Sequence, residues 1–295
     1  MSQKNASRLA ETGLNTHRFF DRQAFKSEQP GGDSSVMLAR LLVFGYGIFC
    51  YGVFFATFIY AIGFIGNLFV TRSLDSAARR PAAAALAIDL ALLGLFALQH
   101  SVMARSWFKR AWTKFVPNAA ERSTYVLFSS LALILMFWFW EPIGGAVWSI
   151  ENAALRSAVY VVYALGWIGL LLCTFVIDHF DLFGLRQVYY YLIGREMPPL
   201  QFAVRGPYKA IRHPIYLAWL TIFWATPTMT IAHLVFALAT TAYILIAIRF
   251  EERDLVREHG SLYENYRRTV PMIVPMPRRS TTEVRPIPGN SRQKA

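Results

Sequence analysis

The sequence predicts an all-α, polytopic membrane protein with about six transmembrane helices, and three observations support this fold class. Of the 295 residues, 55% are hydrophobic and 16% are charged, whereas soluble domains carry about 25% charged residues. The mean hydropathy of +0.34 is typical of a chain with much of its surface in a bilayer. Apolar segments also recur along the chain, and each approaches or exceeds the ~20 residues that cross the hydrocarbon core.

The chain begins with a polar tail at residues 1–36. This tail mixes Gln, Ser, Asn and Gly with charged residues and shows no helical periodicity, and the Pro-Gly-Gly-Asp sequence at 30–33 would break a helix. We therefore expect a disordered cytosolic tail. It is not expected to be a signal peptide, because no apolar segment follows a short basic start.

A membrane domain is predicted at 37–276. Its first four apolar segments are single spans at 38–66, 82–104, 123–141 and 154–177. The last apolar block, 215–250, holds Thr226-Pro227-Thr228 near its middle. Because proline cannot continue the hydrogen-bond ladder of a helix, we expect this block to form a tight helical hairpin of two spans. Residues 277–295, rich in Pro, Arg and Ser, are predicted to be a second disordered tail.

The charge distribution predicts the orientation of the protein in the membrane. The formal net charge is +12 and the pI is about 9.9. Lys and Arg are concentrated in the N-terminal tail, in the loops after the second and fourth spans, and in the C-terminal region. The positive-inside rule then predicts an integral membrane protein with both termini in the cytosol. We attribute the basicity to this rule and expect no nucleic-acid partner, and the sequence predicts no oligomeric state.

The two cysteines, Cys50 and Cys173, both lie within predicted spans. They provide neither a disulfide framework nor a thiol metal site, so the sequence predicts no metal centre. We expect both to be small residues of the core.

Residues 204–271 hold two polar, cationic and aromatic clusters, separated by the predicted hairpin. The first contains Arg212-His213-Pro214 where a helix would start, and the free N–H groups of a first helical turn form an anion site. The second contains Glu251 and Glu252 where the hairpin ends. Glu252 extends an apolar stripe of its helix, and a buried carboxylate needs a cationic or hydrogen-bonding partner. Two interpretations of Glu252 stay open: an ion pair with an arginine of the 205–212 loop, or contact with a ligand.

The segment 205–271 resembles the membrane methyltransferase superfamily of isoprenylcysteine carboxyl methyltransferase and phospholipid N-methyltransferases. Its pattern is Arg-His-Pro-x-Tyr, an apolar hairpin and then Glu-Glu; Ala218 departs from it, because Gly is usual there. Upstream, Gln99-His100-Ser101 and the run from Asp178 to Gln187 resemble the NnrU-like branch and, more closely, the bacterial methanethiol S-methyltransferases. The resemblance spans roughly 40–275. It implies S-adenosylmethionine as methyl donor, methanethiol as the small thiol acceptor, and dimethyl sulfide as product.

The resemblance implies a donor site in the cytosolic C-terminal region. Arg212, His213 and the helix start suit the carboxylate of S-adenosylmethionine, and Glu251 or Glu252 suits its ammonium group or ribose hydroxyls. The remaining candidates are four tyrosines, whose hydroxyls or ring faces suit the sulfonium, and one arginine: Tyr208, Tyr216, Tyr263, Tyr266 and Arg205. Anchoring in the interfacial aromatic belt is the alternative role of these tyrosines.

The acceptor thiol must be activated, because thiolate is the nucleophile and an unperturbed cysteine thiol has a pKa of about 8.5. The candidate catalytic residues are His100, His179 and Asp178, with Gln99 and Arg186 to orient them. We expect His179 to act as general base, Asp178 to fix its tautomer, and His100 to bind or orient the thiol. The alternative for His100 is a structural role, bonded to a carbonyl at the interface.

Two other functions stay open at this stage. One is methyl transfer to a lipid or prenylcysteine acceptor through a lateral opening. The other is a non-catalytic NnrU-like membrane protein, or a transporter that uses the same buried charges. Binding of S-adenosylmethionine separates an enzyme from the second alternative, and formation of dimethyl sulfide separates a thiol acceptor from a lipid.

Overall fold

The computed structural model describes residues 34–198 and 203–275. Its helices, in chain order, are α1 (Ser34–Gly66), α2 (Ala82–Met103), α3 (Ser106–Trp112), α4 (Asn118–Phe139), α5 (Ala153–Ile177), α6 (His179–Leu182), α7 (Leu185–Leu192), α8 (Pro214–Trp224), α9 (Ile231–His259) and α10 (Ser261–Thr269). A 3₁₀ turn (Gly206–Lys209) precedes α8, and two short strands, β1 (Ala146–Ser149) and β2 (Thr228–Thr230), form one antiparallel pair. Of the two predicted tails, residues 1–33 and 277–295 lie outside the described residues. The contacts given below all lie within residues 40–275.

Within the described residues, five helices are long and apolar enough to cross a membrane, namely α1, α2, α4, α5 and α9. Many large apolar side chains on these helices are exposed; Leu98, Trp138 and Leu172 are 60–65% exposed. An apolar surface of this extent suits lipid rather than water. The predicted all-α, polytopic fold of an integral membrane protein is therefore confirmed.

The sixth apolar segment is a short helix. α8 has 11 residues, which at 1.5 Å per residue reach about 16 Å, or about half of the hydrocarbon core. Its partner α9 has 29 residues. The hairpin turn contains Pro227, as the sequence predicts, but the helix already ends at Trp224. The chain then becomes extended so that β2 can pair with β1, and this pairing uses the residues that would have lengthened α8.

The hydrophobic core lies where α1, α2, α4, α5, α8 and α9 meet. Its fully buried side chains include Phe64, Met136, Ile222 and Ile248. Gly166 on α5 allows α8 to approach closely, because a Cβ at this position would lie 2.9 Å from Cγ1 of Ile222. This packing holds α8 against α5 and so positions the residues at the start of α8.

The helices expose two ends of the bundle. We call one the site end: it holds the last residues of α2, α5 and α9 and the first residues of α4 and α8, and hydrogen bonds such as Ser101–Tyr243 and Arg212–Glu252 join them. We call the opposite one the far end, where β1 and β2 lie. Most of the predicted site residues lie at the site end.

A buried polar network closes the far end. His233 is fully buried, and its Nδ1 lies 3.0 Å from Asp75 Oδ2 while its Nε2 lies 3.0 Å from the carbonyl oxygen of Phe223. Asp75 also accepts a hydrogen bond from Thr230 Oγ1 at 2.6 Å. Both ring nitrogens of His233 therefore have oxygen partners within hydrogen-bond distance, and the ring is fixed between Asp75 and the end of α8.

Candidate active site

Arg212 and His213, at the start of α8, contact Glu252 near the end of α9. Arg212 Nε donates to Glu252 Oε1 at 2.7 Å, and His213 Nε2 lies 3.0 Å from the same oxygen. All three side chains are largely buried. The Arg-His-Pro and Glu-Glu clusters, 40 residues apart between Arg212 and Glu252, are therefore in direct contact.

The segment that follows α10 holds Arg212 and His213 in place. Nη1 of Arg212 and the backbone N–H groups of both residues donate to main-chain carbonyls at Arg267 (2.8 Å), Val270, Pro271 (2.9 Å) and Met272 (3.0 Å). Of the two interpretations of Glu252, the ion pair with an arginine of the preceding loop is the one present in this geometry. Contact of Glu252 with a ligand stays a proposal.

Glu251 is the accessible carboxylate of the pair. Its side chain is 45% exposed, and its Oε2 accepts a hydrogen bond from the Tyr216 hydroxyl at 2.8 Å. Nδ1 of His213 lies 3.9 Å from the same oxygen, which is too long for a hydrogen bond. A ligand can therefore reach Glu251 without first breaking the ion pair at Glu252.

The other predicted donor-site tyrosines lie beside these acidic groups. The Tyr266 hydroxyl donates to the carbonyl of Tyr208 at 2.7 Å and so joins α10 to the 3₁₀ turn, while Tyr263 is buried against the Tyr266 ring. Burial raises the pKa of Tyr208 and Tyr263, and raises the pKa of Tyr266 to about 12. All three phenols stay protonated at neutral pH, so they provide hydroxyls and ring faces rather than bases. Arg205 is exposed just before the turn.

His100 lies in a cluster of hydroxyl groups near the end of α2. Its Nδ1 lies 3.2 Å from Ser129 Oγ, and the Tyr125 hydroxyl lies 2.8 Å from its Nε2. The next residue, Ser101, contacts the Tyr243 hydroxyl at 3.1 Å. The Ser101–Tyr243 contact joins this cluster to α9, the helix that also carries Glu251.

His179 lies in a second cluster, between α5 and α6. Nδ1 lies 2.9 Å from Thr174 Oγ1, and Nε2 lies 2.9 Å from the Tyr51 hydroxyl. Phe175 stacks on the ring at a centroid distance of 4.3 Å. Burial lowers the pKa of His179, and the nearby Asp178 carboxylate opposes that effect. The imidazole is therefore neutral at neutral pH and able to accept a proton.

Asp178 and Arg186 are brought together beside α6. Asp178 Oδ1 accepts from the backbone N–H of Asp181 at 3.0 Å and so caps α6, and Oδ2 lies 3.5 Å from Arg186 Nη1. Both carboxylate oxygens therefore have other partners, and the hydrogen bonds to the His179 ring come from Thr174 and Tyr51 rather than from Asp178. Gln99 donates to the Met103 sulfur, and its Oε1 is buried without a hydrogen-bond partner among the described residues.

The two candidate histidines belong to neighbouring but separate clusters. Among the described residues they share no hydrogen bond or ring contact. Phe54 and Phe183, stacked at 4.0 Å, lie between them: Phe183 contacts the His179 ring at 4.8 Å, and both phenylalanines pack against the group that includes Tyr125.

Three functional candidates escaped the sequence analysis: Tyr51, Tyr125 and Tyr243. Each stands on an apolar helix, where a tyrosine also serves packing or the aromatic belt. No spacing pattern joins them to the histidines, because their partners are 25 to 142 residues away in the chain. Only the packing of the helices identifies these contacts.

Comparison with known proteins identifies the family. The sequence is 55% identical over 242 residues to methanethiol S-methyltransferase of Crocosphaera subtropica, an alignment that covers 82% of this chain and 95% of that protein. It is 48% identical to methanethiol S-methyltransferase of Mycobacterium tuberculosis, covering 83% of this chain and 100% of the relative. This chain belongs to the methanethiol S-methyltransferase family.

Membership of the methanethiol S-methyltransferase family makes the protein a methyltransferase, which needs a methyl donor, and confirms the resemblance that the motifs predict. Human nurim is a more distant relative, 34% identical over 183 residues that cover 58% of this chain and 68% of nurim. No family model matches the sequence, and no solved structure matches it.

Proposed function

We propose that this protein transfers a methyl group from S-adenosylmethionine to methanethiol and releases dimethyl sulfide, at the cytosolic face of a bacterial inner membrane. The observation that supports the proposal is that the accessible carboxylate Glu251 and the clusters that hold His100 and His179 lie at the same end of the helix bundle. Relatives named for methyl transfer to methanethiol support the choice of acceptor.

The donor-site residues fit the ionic groups of S-adenosylmethionine, which supplies a methyl group on a positively charged sulfur. Glu251, 45% exposed, suits the ammonium group or the ribose hydroxyls. The first turn of α8, preceded by Arg212 and His213, suits the carboxylate. Glu252 positions those two side chains through its ion pair. Ring faces, hydroxyls and one further cation are available from Tyr208, Tyr216, Tyr263, Tyr266 and Arg205.

The acceptor side must remove a proton from the thiol. His179 is the base in this proposal, because its neutral ring can accept a proton at neutral pH. His100, held by Tyr125 and Ser129, binds or orients the thiol, and the unpartnered Oε1 of Gln99 is available as an acceptor beside it. Asp178 and Arg186 support the loop that carries His179. The aromatic surroundings keep water away, which favours a reaction in which opposite charges disappear.

Among the described residues, the apolar cavity that could hold part of a lipid acceptor is not lined by donor-site residues. This cavity of about 400 Å³ opens between α1, α3 and α4 and is wide enough for part of an acyl chain. Its lining includes Leu42, Tyr46, Trp112, Pro117 and Phe128, and it contains no predicted catalytic or donor-site residue. We therefore prefer the small thiol as acceptor.

The activity is tested with purified protein in nanodiscs. Given S-adenosylmethionine and methanethiol, the protein should release dimethyl sulfide, measured by headspace gas chromatography. The kcat/KM for methanethiol should far exceed that for a farnesylated cysteine analogue. Comparable values for the two acceptors would favour the lipid enzyme, and a protein that does not bind S-adenosylmethionine in isothermal titration would not be this methyltransferase.

The orientation is tested separately by labelling cells that express a variant without Cys50 and Cys173. A cysteine at the exposed position Ser149, at the far end, should react with an impermeant maleimide added outside. A cysteine at the exposed position Lys114, at the site end, should react only after the cells are permeabilised. The reverse pattern would place the site outside the cytosol, away from the donor.

A further inference from the structure

The hydrogen bonds around His179 define its tautomer. Thr174 Oγ1 donates its single proton to the carbonyl of Leu171 at 2.7 Å. The same oxygen can then only accept from Nδ1 of His179, 2.9 Å away, so Nδ1 carries the ring proton. In the neutral ring Nε2 is therefore the basic nitrogen, and it accepts a hydrogen bond from the Tyr51 hydroxyl at 2.9 Å.

The ring of His179 cannot be approached directly by a substrate. His179 is 4% exposed, Phe175 covers one face of the ring, and Phe183 packs against it at a centroid distance of 4.8 Å. The lone pair of Nε2 is occupied by Tyr51. Any proton that reaches His179 in this arrangement must pass through the Tyr51 hydroxyl.

Tyr51 itself belongs to a cluster of aromatic rings. It is half-buried, and its ring packs against Phe54 at 5.9 Å, Phe55 at 6.4 Å and Phe183 at 6.3 Å. A methyl thiol suits such surroundings, because divalent sulfur makes favourable contacts with aromatic edges. The phenolic oxygen of Tyr51 is a polar atom beside these rings and can accept a hydrogen bond from a thiol S–H.

We propose that Tyr51 meets the thiol and relays its proton to His179, an inference that rests on the proposed methyl transfer. The S–H proton passes to the Tyr51 oxygen as the Tyr51 proton passes to Nε2, so the phenol is neutral before and after. The thiolate sulfur then forms a bond to the donor's methyl carbon, and the old carbon–sulfur bond breaks with its electrons kept by the donor sulfur. The proton is left on an imidazolium whose Nδ1–H still donates to Thr174.

The charges around His179 support the imidazolium only moderately. Asp178 is the nearest carboxylate, and Arg186 partly neutralises both Asp178 and Asp181. From the neighbouring helix α4, Arg122 donates to the carbonyl of Leu182 and adds a positive charge at the same level. An imidazolium here loses its proton readily once the product has left, so the base is regenerated.

The decisive variant is Tyr51→Phe, which keeps the ring and removes the relay atom. The kcat at pH 7 should fall by about 100-fold or more, within the range of general-base catalysis, while the affinity for S-adenosylmethionine stays at the parental value. Activity should partly recover at high pH, where the thiol ionises in solution. The matched control is Tyr46→Phe on the same helix, which loses a hydroxyl bonded to Thr124 at 3.0 Å and should keep its kcat.

A second measurement does not depend on activity. The ¹⁵N NMR spectrum of histidine-labelled protein should show His179, assigned by its loss in His179→Gln, as the Nδ1–H tautomer, and Tyr51→Phe should shift the Nε2 resonance towards that of a free lone pair. Thr174→Val removes the acceptor of Nδ1–H and should convert the ring towards the Nε2–H form, with a lower kcat. An Nε2–H tautomer in the parent, or equal kcat for Tyr51→Phe and the parent across the pH range, would overturn the relay. A parent that makes no dimethyl sulfide would instead overturn the proposed function.

Discussion

A histidine–carboxylate pair stands at each end of the α8–α9 hairpin, and the two pairs differ in accessibility. At the far end, His233 and Asp75 are 0% and 5% exposed, and each ring nitrogen has a protein partner within 3.0 Å. At the site end, His213 and Glu252 are 4% and 12% exposed. The adjoining Glu251 is 45% exposed, and Nδ1 of His213 stops 3.9 Å short of it.

The same residue types serve different purposes at the two ends, depending on which of their polar groups lack a close partner within the protein. The far-end pair has its hydrogen bonds satisfied within the protein, so it can only contribute to stability. The site-end pair leaves one ring nitrogen and one accessible carboxylate without a short contact between them. A charged ligand that binds between Nδ1 of His213 and the Glu251 carboxylate would gain the most favourable contacts.

The largest expected effect is at the far end. His233→Ala should lower the free energy of unfolding by ~3–5 kcal/mol, because it leaves the buried Asp75 side chain without its histidine partner. Unfolding in detergent, followed by circular dichroism, measures this loss. The double variant with Asp75→Asn should recover part of the stability. If His233→Ala unfolds at the same denaturant concentration as the parent, the His233–Asp75 pair does not stabilise the fold.

At the site end the corresponding change should affect ligand affinity. His213→Ala and Glu252→Gln should each weaken binding of S-adenosylmethionine by ~2–5 kcal/mol, as expected when one partner of a buried charged contact is lost. Isothermal titration gives the affinity. Arg257→Ala is the matched control, because this arginine lies on the same helix with its side chain 70% exposed. Parental affinity in both site-end variants would show that the donor binds elsewhere.

A smaller effect concerns the pH dependence of kcat/KM, which should respond to a substitution at the site end but not to one at the far end. Burial lowers the pKa of His179 from its ordinary value of 6.5. The value of kcat/KM should therefore stay constant down to a pH below 6.5 and fall only when the ring becomes protonated. Asp178→Asn removes a charge that favours the imidazolium, so the acidic limb should move to lower pH by about 1 unit. Glu151→Gln, exposed at the far end, should leave the profile unchanged. A shift of the acidic limb to higher pH in Asp178→Asn would contradict the assignment of His179 as the base.

The smallest expected effect is on the surface of the site end. Arg105 Nη1 lies 3.2 Å from Asp254 Oδ2, with side chains 37% and 52% exposed. Because exposed ion pairs contribute about 0–1 kcal/mol, Arg105→Ala should change the unfolding free energy by less than ~1 kcal/mol. A double-mutant cycle with Asp254→Asn measures the coupling. A coupling energy as large as that of His233 with Asp75 would mean that charge pairing stabilises the two ends equally.

The sequence alone was sufficient for the helical membrane fold, and it offered an ion pair of Glu252 with an arginine of the 205–212 loop as one of two interpretations. Both predictions rest on local sequence patterns, namely apolar segments of spanning length and a motif whose two parts flank one hairpin. The length of α8 was not predictable in this way. Hydropathy counts apolar residues whether they are helical or extended, and the pairing of β2 with β1 decides where the helix ends.

The hydroxyl partners of the histidines were also beyond sequence reasoning. Tyr51 meets His179 across 128 residues and Asp75 meets His233 across 158, so no local pattern relates them. The expectation that Asp178 would hold the His179 ring followed from their adjacency in sequence. Adjacent residues at a helix start point in different directions, and the cap of α6 takes the carboxylate.

The attachment of the segment after α10 has a consequence for biosynthesis. The carbonyls of Pro271 and Met272 hold the backbone of Arg212 and His213, and Ile273 is buried in the core beside them. These residues are synthesised after the last of the long membrane helices. A nascent chain therefore cannot form these contacts until its long membrane helices have been synthesised.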